Sequence, residues 1–317
     1  MGDDDAGDRG SGRGDVAASD AGVAIVLALR AIDERMSQLE PAVLADEPDA
    51  VHQLRTNVRR LRSLLAAYGP LFDPAVATAL RRRYRTFGRE LGVVRDLEVR
   101  AQVAERALAD AVEEGDLADG DERAAVQARL IDAEREAHAI AHARLAERER
   151  SPRAAARREA LASFLDDPAR TALAAEPSAT TLAALLELEA RRAVRRSERL
   201  DRSSDTETLH VVRKAGRRLR YAAEAVSTEP VELFGEKAEA LASAGDDIHD
   251  LLGDHRDEVL FAEHVRRTAA HAAHEGEPTA ALERLAVAAD ARAAARLDHL
   301  AKVIRELRSA SRAWESR

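Results

Sequence analysis

Residues 51–65 read VHQLRTNVRRLRSLL and combine an apolar stripe with a row of cationic side chains. At about 100° per residue, the cationic residues fall within one narrow arc of a helix, which contains His52, Arg55, Arg59 and Arg62. The adjoining arc is apolar and contains Val51, Leu54, Val58, Leu61 and Leu65. Asp49 stands at the N-cap position and Gly69 and Pro70 follow the run, so the pattern predicts a helix over residues 50–68.

The cationic pattern occurs twice in the chain. Residues 52–62 and residues 210–220 both read H-x-x-R-x-x-x-R-R-L-R. About 40 residues later each copy is followed by a second shared string, LGVVRD at 91–96 and LGDHRD at 252–257. Two pairs of strings in the same order are hard to explain by chance, and they indicate an internal duplication.

The simplest alternative for such a helix is a solvated basic face. A merely solvated face usually mixes charges of both signs. Between residues 51 and 95 there are instead ten arginines against two acids, Asp73 and Glu90. The second copy of the pattern weakens this alternative further, and the charge indicates a surface that binds anions.

The composition predicts an all-α protein. Hydrophobic residues make up 45% and charged residues 34% of the 317 residues, which is typical of a globular chain with room for about two domains. Aromatic residues are 3%, so the core must consist mainly of Ala, Leu and Val, a composition that favours helices over strands. The sequence has no cysteine, which excludes disulfides and thiolate metal sites.

Charge and hydropathy limit the location and the partners. No apolar run is long enough to span a membrane and no secretory leader is recognisable, so we predict a cytoplasmic protein without a membrane partner. The net charge is −9, yet a cleft lined with one sign can attract polyanions while acidic outer faces maintain solubility. The basic residues are overwhelmingly arginine, which either nucleotide bias in the gene or selection for bidentate phosphate contacts would explain.

Helix signals divide the chain into a tail and two similar halves. Residues 1–19 are rich in Gly and Asp without apolar periodicity, which predicts a disordered acidic tail. A first helical bundle is expected over residues 20–166, with helices near 20–40, 50–68, 74–89, 95–114, 121–150 and 152–166. A linker is expected over residues 167–179. A second bundle is expected over residues 180–317, with helices near 180–201, 206–227, 231–252, 256–275 and 279–314.

These motifs and the duplicated helical frame resemble the CHAD domain, the conserved histidine α-helical domain. The resemblance extends over residues 20–317. It implies an all-α fold of two pseudo-twofold-related antiparallel bundles with a basic groove between them, and binding of inorganic polyphosphate in that groove without catalysis. It also makes polyphosphate granules a compartment with which the protein could be associated, and it implies no cofactor.

The expected polyphosphate-binding residues are the basic side chains of the motifs and of the helices beside them. A linear polyphosphate is a dense row of negative charges, for which an extended row of guanidinium groups is a suitable receptor. In the first half the residues are His52, Arg55, Arg59, Arg62, Arg82, Arg85, Arg89 and Arg95. In the second half they are His210, Arg213, Lys214, Arg217, Arg220 and Arg256.

The two motif histidines are expected to respond to the ligand. Cationic neighbours disfavour a protonated imidazole, whereas a bound phosphate chain favours it. We therefore predict that His52 and His210 take up protons on binding and that affinity increases as the pH falls. The alternative is that each histidine only donates to a carbonyl or carboxylate at a helix start.

The second half departs from the first in two places. Gly216 replaces Val58 and would permit close packing of another backbone. The third helix of the second half lacks the arginine run, so the expected groove is asymmetric.

An enzymatic function is the least favoured. Glu187, Glu189 and Arg191 are similar to the E-x-E-x-K signature of triphosphate-tunnel hydrolases, but on a helix the two carboxylates point in different directions. There is no Gly-rich phosphate loop or nucleophile elbow. We predict a protein without a catalytic site.

Metal binding and other partners are the remaining alternatives. His138 and His142 have metal-ligand spacing, as do Asp246, His249 and Asp250, but no matching set on a facing helix is recognisable, so no metal site is predicted. Nucleic acid is a less favoured ligand of the same basic surface, because aromatic residues for stacking are few and no helix-turn-helix signature is evident. A scaffold that recruits an acidic protein is the second alternative.

Overall fold

Helices form all the extended regular structure of the described chain. The computed structural model describes residues 19–115, 117 and 120–316, so the predicted tail of residues 1–19 lies outside the described residues except for Ser19. Among these residues there is no strand, and β-type pairing is limited to two isolated bridges, one between Asp20 and Pro177 and one between Phe72 and Arg170. The prediction of an all-α fold is confirmed.

The helices are numbered here in chain order. They are α1 (Ala21–Leu44), α2 (Ala50–Ala67), α3 (Pro74–Glu113), α4 (Gly120–Gln127), α5 (Ala133–Glu149), α6 (Pro152–Asp166), α7 (Ser178–Ser197), α8 (Thr206–Ser227), α9 (Gly235–His274), α10 (Ala280–Arg296) and α11 (Leu300–Glu315). A π-helical turn, Ala128–Asp132, joins α4 to α5. Short 3₁₀ turns occupy Gly69–Leu71, Ala172–Ala175 and Leu297–His299.

Two predicted helix breaks are wrong. The predicted helices near 74–89 and 95–114 form the single 40-residue helix α3, and those near 231–252 and 256–275 form the 40-residue helix α9. Both shared LG strings lie inside these helices. A glycine in a helix interior costs only about 1 kcal/mol, and the buried Leu91 and Leu252 keep the apolar stripe continuous through each string.

The prediction of a single helix near 279–314 is wrong in the opposite way, because the structure has two helices there. The 3₁₀ turn Leu297–His299 divides α10 from α11.

The ends of α1 and α2 also differ from expectation. The first helix was predicted to end near residue 40, but α1 continues through Pro41 to Leu44, and the Pro41 carbonyl still accepts from the Ala45 N–H at 3.0 Å. Asp49 is the N-cap of α2 as predicted, but its φ is 62° and its carboxylate makes no capping hydrogen bond to the helix N–H groups. That carboxylate instead accepts from Gln53 Nε2 at 3.2 Å.

The described chain forms two compact units. The first unit consists of residues 19–88, 151–250 and 300–316, and the second consists of residues 89–150 and 251–299 without the residues outside the description. Each unit takes residues from both sequence halves, whereas each predicted bundle, 20–166 and 180–317, occupied one half. The duplication and its boundaries stay predictions.

The first unit is built around the two motif helices, which explains why it draws on both halves. Helices α2 and α8 pack against each other, α1 packs on α2, and α7 packs on α8 and α11. The predicted linker, residues 167–179, is part of this packing. Ala174 is fully buried, and the Ala21 N–H donates to the Glu176 carbonyl at 2.9 Å.

The second unit has an apolar core of its own. Small and branched residues of α3, α9 and α10 fill it together with the π-helical turn, and Phe261 and Val265 are among its most buried members. Alanine is frequent in this core, which allows helices to approach closely in a chain with few aromatic residues.

Candidate functional site

Helix α2 presents the first motif because its apolar stripe is buried. Val58 and Leu61 are inaccessible to solvent, and Leu54 is nearly so. Just beyond the end of the helix, the Tyr68 hydroxyl donates to the Ala222 carbonyl of α8 at 2.7 Å. These contacts fix the rotation of α2, so its cationic arc is held at a defined angle to α8.

Helix α8 presents the second motif in the same way. The Asp205 carboxylate caps it by accepting from the Thr208 N–H at 2.7 Å, and hydrogen bonds from the Thr208 side chain and N–H lower the pKa of Asp205. In its middle, Gly216 packs against α9, where an added Cβ would lie 2.8 Å from the Gly245 carbonyl oxygen. The prediction that Gly216 permits close packing of another backbone is confirmed.

Four motif arginines form one cationic group, which we name the α2–α8 arginine cluster and which consists of Arg59, Arg62, Arg213 and Arg217. The pKa of Arg217 is lowered to about 9, first by burial and then by the positive charges of the other three arginines. In the part of the chain that the structure describes, no carboxylate lies at ion-pair distance from Arg217. Like charges held together in this way are unfavourable, and a bound polyanion would relieve their repulsion.

His249 of α9 extends the cluster and was not among the predicted binding residues. It is 7% exposed, and its Nδ1 lies 3.0 Å from Asp250 Oδ1, so Nδ1–H donates to that carboxylate. Its Nε2 is buried without a hydrogen-bond partner. The pKa of His249 is lowered to about 4, mainly by burial and also by the charges of Arg213, Arg217 and Arg59, although the bond to Asp250 opposes this. The imidazole is therefore neutral at pH 7.

Sequence patterns drew attention to His249 for another reason, the metal-ligand spacing that it shares with Asp246 and Asp250. One ligand atom from each of the three does lie within 4.8 Å of the others. Asp246 is already ion-paired with Arg220, however, and the charges of cluster arginines act on His249. These positive charges oppose a cation at this position and favour an anion.

His52 faces a different space from the cluster. It lines a cavity of about 610 Å³ bounded by α1, α2 and α8, whose lining includes none of the four cluster arginines. Arg60 shares this cavity, with its guanidinium 5.5 Å from the Tyr221 ring centroid and its Nη2 3.2 Å from Glu224 Oε2. The cationic arc of α2 is thus divided between two spaces.

The other predicted residues of the first unit have varied surroundings. The Arg220 Nε donates to Glu224 Oε1 at 2.7 Å, and its Nη1 pairs with Asp246. Burial would lower the pKa of Arg220, but these carboxylates outweigh burial and raise it. Arg55 and His210 are half-buried, and the exposed residues are Lys214, Arg82 and Arg85.

The remaining predicted residues belong to the second unit. They are Arg89, Arg95 and Arg256. Arg95 Nη1 lies 2.9 Å from Glu98 Oε2 within that unit. As polyphosphate contacts, all of the predicted residues stay predictions.

The carboxylates of the E-x-E-x-R segment are counter-ions of neighbouring arginines. Glu189 is 4% exposed and accepts from Arg192 and from Arg218 Nε, which joins α7 to α8. Glu187 Oε1 pairs with Arg191 Nη2 at 2.6 Å. Glu189 therefore joins two helices, whereas Glu187 forms an ion pair within α7.

Comparisons with known proteins agree with this architecture. The structure of PptA from Streptomyces chartreusis superposes with a TM-score of 0.70 at 22% identity, covering 92% of this chain and 100% of that one. The CHAD domain of the plant Ricinus communis superposes with a TM-score of 0.67 at 24% identity, covering 92% and 93%. At these identities the similarity establishes the shared fold.

Sequence comparison finds relatives in Mycobacterium tuberculosis. Uncharacterized proteins MT2285 (strain CDC 1551 / Oshkosh) and Rv2226 (strain ATCC 25618 / H37Rv) are each 32% identical over 256 residues, or 79% of this chain. The chain spans about half the length of these relatives, 47%. None of the helices in the described residues combines the length and apolar character needed to cross a membrane.

A family model supplies the assignment. The model of the CHAD domain matches residues 27–266, which include both copies of the motif and both LG strings. Because this match extends over most of the chain and agrees with the helical architecture, the chain belongs to the CHAD domain family.

Proposed function

We propose that this protein binds inorganic polyphosphate at the α2–α8 arginine cluster and does so without catalysis. The observation that carries the proposal is the environment of Arg217, a half-buried guanidinium among three other arginines with its pKa lowered to about 9. Among the described residues no carboxylate lies at ion-pair distance from Arg217, and a bound polyanion would supply the negative charge that balances it.

Polyphosphate suits this cluster better than a single anion does. Guanidinium groups form paired, charge-assisted hydrogen bonds with phosphate oxygens. A linear phosphate chain could place successive charges along the arginines of two helices, whereas one phosphate could satisfy only part of the cluster. The CHAD family is associated with polyphosphate binding and its domains are in general non-catalytic, which supports the same ligand class.

Further parts of the proposal concern the wider protein. The predicted basic residues of the first unit outside the cluster would extend the binding surface along the chain of phosphates. The duplicated halves, 20–166 and 180–317 with the linker 167–179, would account for the presence of two motif helices. A cytoplasmic location, with association to polyphosphate granules, would give the protein access to this ligand.

The test is calorimetric titration of the full chain with long-chain polyphosphate at 50 and 200 mM salt. If about four phosphates are neutralised, counterion release should weaken binding roughly 50-fold between these salt concentrations. The variant Arg59→Gln/Arg217→Gln should lose most of the affinity. Arg199→Gln/Arg305→Gln is the matched control, because it removes two exposed arginines of the same unit outside the cluster.

Duplex DNA serves as the competitor in the same titration. The proposal expects DNA to displace polyphosphate poorly. Equal competition by DNA would indicate a general cationic surface, and equal losses in the two double variants would show that only the overall charge matters. Either result would contradict a polyphosphate site at the cluster.

A further inference from the structure

A second basic cavity lies in the first unit between α7 and α11, away from the motif residues. Its volume is about 600 Å³, and its charged lining residues are Arg191, Arg195, Glu198, Arg308, Arg312 and Glu315. The arginines are spaced i, i+4 on each helix, so both pairs project from one face of their helix into the same space. Like charges at this spacing are unfavourable for a helix unless something neutralises them.

The fold provides carboxylates for one of these arginines. Arg191 Nε donates to Glu315 Oε1 at 2.9 Å, and its Nη2 lies 2.6 Å from Glu187 Oε1. Those bonds raise the pKa of Arg191. Glu187 and Glu315 are thus already engaged by Arg191.

The other three arginines have no such balance. Within the described residues, Arg195, Arg308 and Arg312 make no ion pair. The Nε of Arg308 is buried and has no hydrogen-bond partner. A buried donor left unsatisfied is unfavourable, because it has lost its bond to water without gaining another, and an acceptor bound in the cavity would supply that bond.

The charges in the cavity define the ligand that would fit it. Three guanidinium groups face the single remaining carboxylate, Glu198, so the lining would be balanced by a ligand with about two negative charges. A phosphate group with a free terminal oxygen carries about −1.5 to −2 at pH 7. Planar guanidinium groups bind its oxygens in pairs.

We propose that the α7–α11 cavity is a separate site for a compact phosphate dianion, either orthophosphate or the terminal phosphate of a short polyphosphate. Arg195, Arg308 and Arg312 bind the oxygens, with the buried Nε of Arg308 as one of the donors. Glu198 opposes binding by its charge. This site does not depend on the α2–α8 arginine cluster.

The experiment uses the full chain with Arg59→Gln/Arg217→Gln, which weakens the cluster, and titrates it with tripolyphosphate and separately with orthophosphate. We expect one equivalent to bind. Adding Arg308→Gln should lower the affinity about tenfold, as expected for loss of a charge-assisted donor. Adding Arg305→Gln, on the exposed side of α11, should change it less than about twofold.

Glu198→Gln gives a test in the opposite direction. Removal of the competing carboxylate should increase the affinity about threefold without removing any donor. If circular dichroism shows that Arg308→Gln does not fold, the affinity of Glu198→Gln decides whether the site exists. Binding of orthophosphate identifies a single phosphate group, and binding of tripolyphosphate alone identifies a chain end.

Three results would overturn the site. They are absence of binding by both probes, equal losses for Arg308→Gln and Arg305→Gln, and no gain for Glu198→Gln. Failure of the proposed polyphosphate function is a different result, namely that long-chain polyphosphate binds the wild type and the Arg59→Gln/Arg217→Gln variant equally.

Discussion

The two motif helices pack against the 40-residue helices α3 and α9 with opposite arrangements of bulky and small residues. Where α2 crosses α3, Val58 packs on Gly88, and a Cβ at Gly88 would lie 3.3 Å from Val58 Cγ1. Where α8 crosses α9, Gly216 packs on Ile248 and Gly245, and a Cβ at Gly216 would lie 2.8 Å from the Gly245 carbonyl oxygen. At the first crossing the motif helix supplies the bulky residue and the long helix supplies the glycine, whereas at the second crossing the motif helix supplies the glycine. That glycine also contacts the backbone of Gly245.

This exchange changes what each crossing can do. When the two halves are aligned on their LG strings, His249 corresponds to Gly88 and Asp246 corresponds to Arg85. The second crossing therefore adds a buried imidazole to the arginine cluster and a carboxylate that engages Arg220. A repeated motif thus produces two unequal surfaces, because the helix that each copy packs against is different.

The largest expected effect is the loss of stability when the packing of α8 on α9 is disrupted. Gly216→Val copies the first motif, but its side chain would collide with Ile248 and with the Gly245 backbone. Backbone cannot move aside as a flexible side chain can, so we expect destabilisation by about 3 kcal/mol. Urea unfolding followed by circular dichroism measures this change.

Gly88→Ala is the control at the first crossing. The added methyl group would meet the end of Val58 at 3.3 Å, a contact that a small shift relieves. The helix also gains about 1 kcal/mol of propensity from Gly→Ala, so the net change should be close to zero. Equal destabilisation by the two variants would show that the crossings are alike.

The second prediction concerns pH and His249. Its folded-state pKa of about 4 lies below the unfolded value near 6.5, so the unfolded chain binds a proton at higher pH than the folded chain does. Stability should therefore fall as the pH decreases from about 6.5 towards 4, and His249 should account for about 1–2 kcal/mol of the loss between pH 7.5 and 5. Urea unfolding at both pH values tests this, with His249→Gln showing the smaller loss.

Bound polyphosphate should favour the protonated form of His249, which the ligand-free fold disfavours. A polyanion at the cluster favours the charged imidazole, so binding near pH 6 should be accompanied by proton uptake. Titrations in buffers of different ionisation enthalpy measure it. If His249→Gln abolishes the uptake, His249 is its source, and if only His52→Gln and His210→Gln reduce it, the motif histidines are the source, as first predicted.

How much of the site was predictable depends on whether the contacts are local. Arg59 and Arg62 on α2, like Arg213 and Arg217 on α8, follow from the helical spacing within each helix, and the buried stripe that orients each pair is equally periodic. His249 could not be assigned in this way, because its role depends on α9 approaching α8 at Gly216. The glycine itself was a visible signal that some backbone would approach, but nothing in the local pattern identified which one.

Helix ends and charge pairing show the same limit. The predicted helices end at or before the glycines of the LG strings and restart after them, whereas in the structure burial of Leu91 and Leu252 outweighs the weak helix propensity of those glycines. Arg220 has the same spacing as Arg62, yet its carboxylate partners include Asp246 on another helix. Periodicity predicts which side of a helix a residue occupies, and tertiary packing decides what it meets there.

The third prediction is that removal of the Arg217 charge stabilises the ligand-free protein slightly and weakens its binding of polyphosphate. Arg217→Gln removes a guanidinium whose pKa is depressed by burial and by like charges, so the ligand-free protein should become more stable by about 1 kcal/mol at pH 7 and low salt. Long-chain polyphosphate should raise the melting temperature of the wild type more than that of the variant. A variant that is less stable than the wild type without ligand would show that Arg217 has a structural role instead.

The smallest expected effect distinguishes Arg62 from Arg220, which occupy equivalent positions in the two copies of the motif. Arg220 must exchange its bonds to Glu224 and Asp246 for any bond to phosphate, so its net contribution to binding should be small. Arg220→Gln should lower polyphosphate affinity only about twofold, against about tenfold for Arg62→Gln, whose charge acts within the cluster. Asp246→Asn tests the cause, because with that carboxylate neutralised Arg220 should bind phosphate more readily and the affinity should increase about twofold. Equal losses for the two arginine variants, with no gain for Asp246→Asn, would show that the carboxylates do not restrain Arg220 and that the two copies contribute alike.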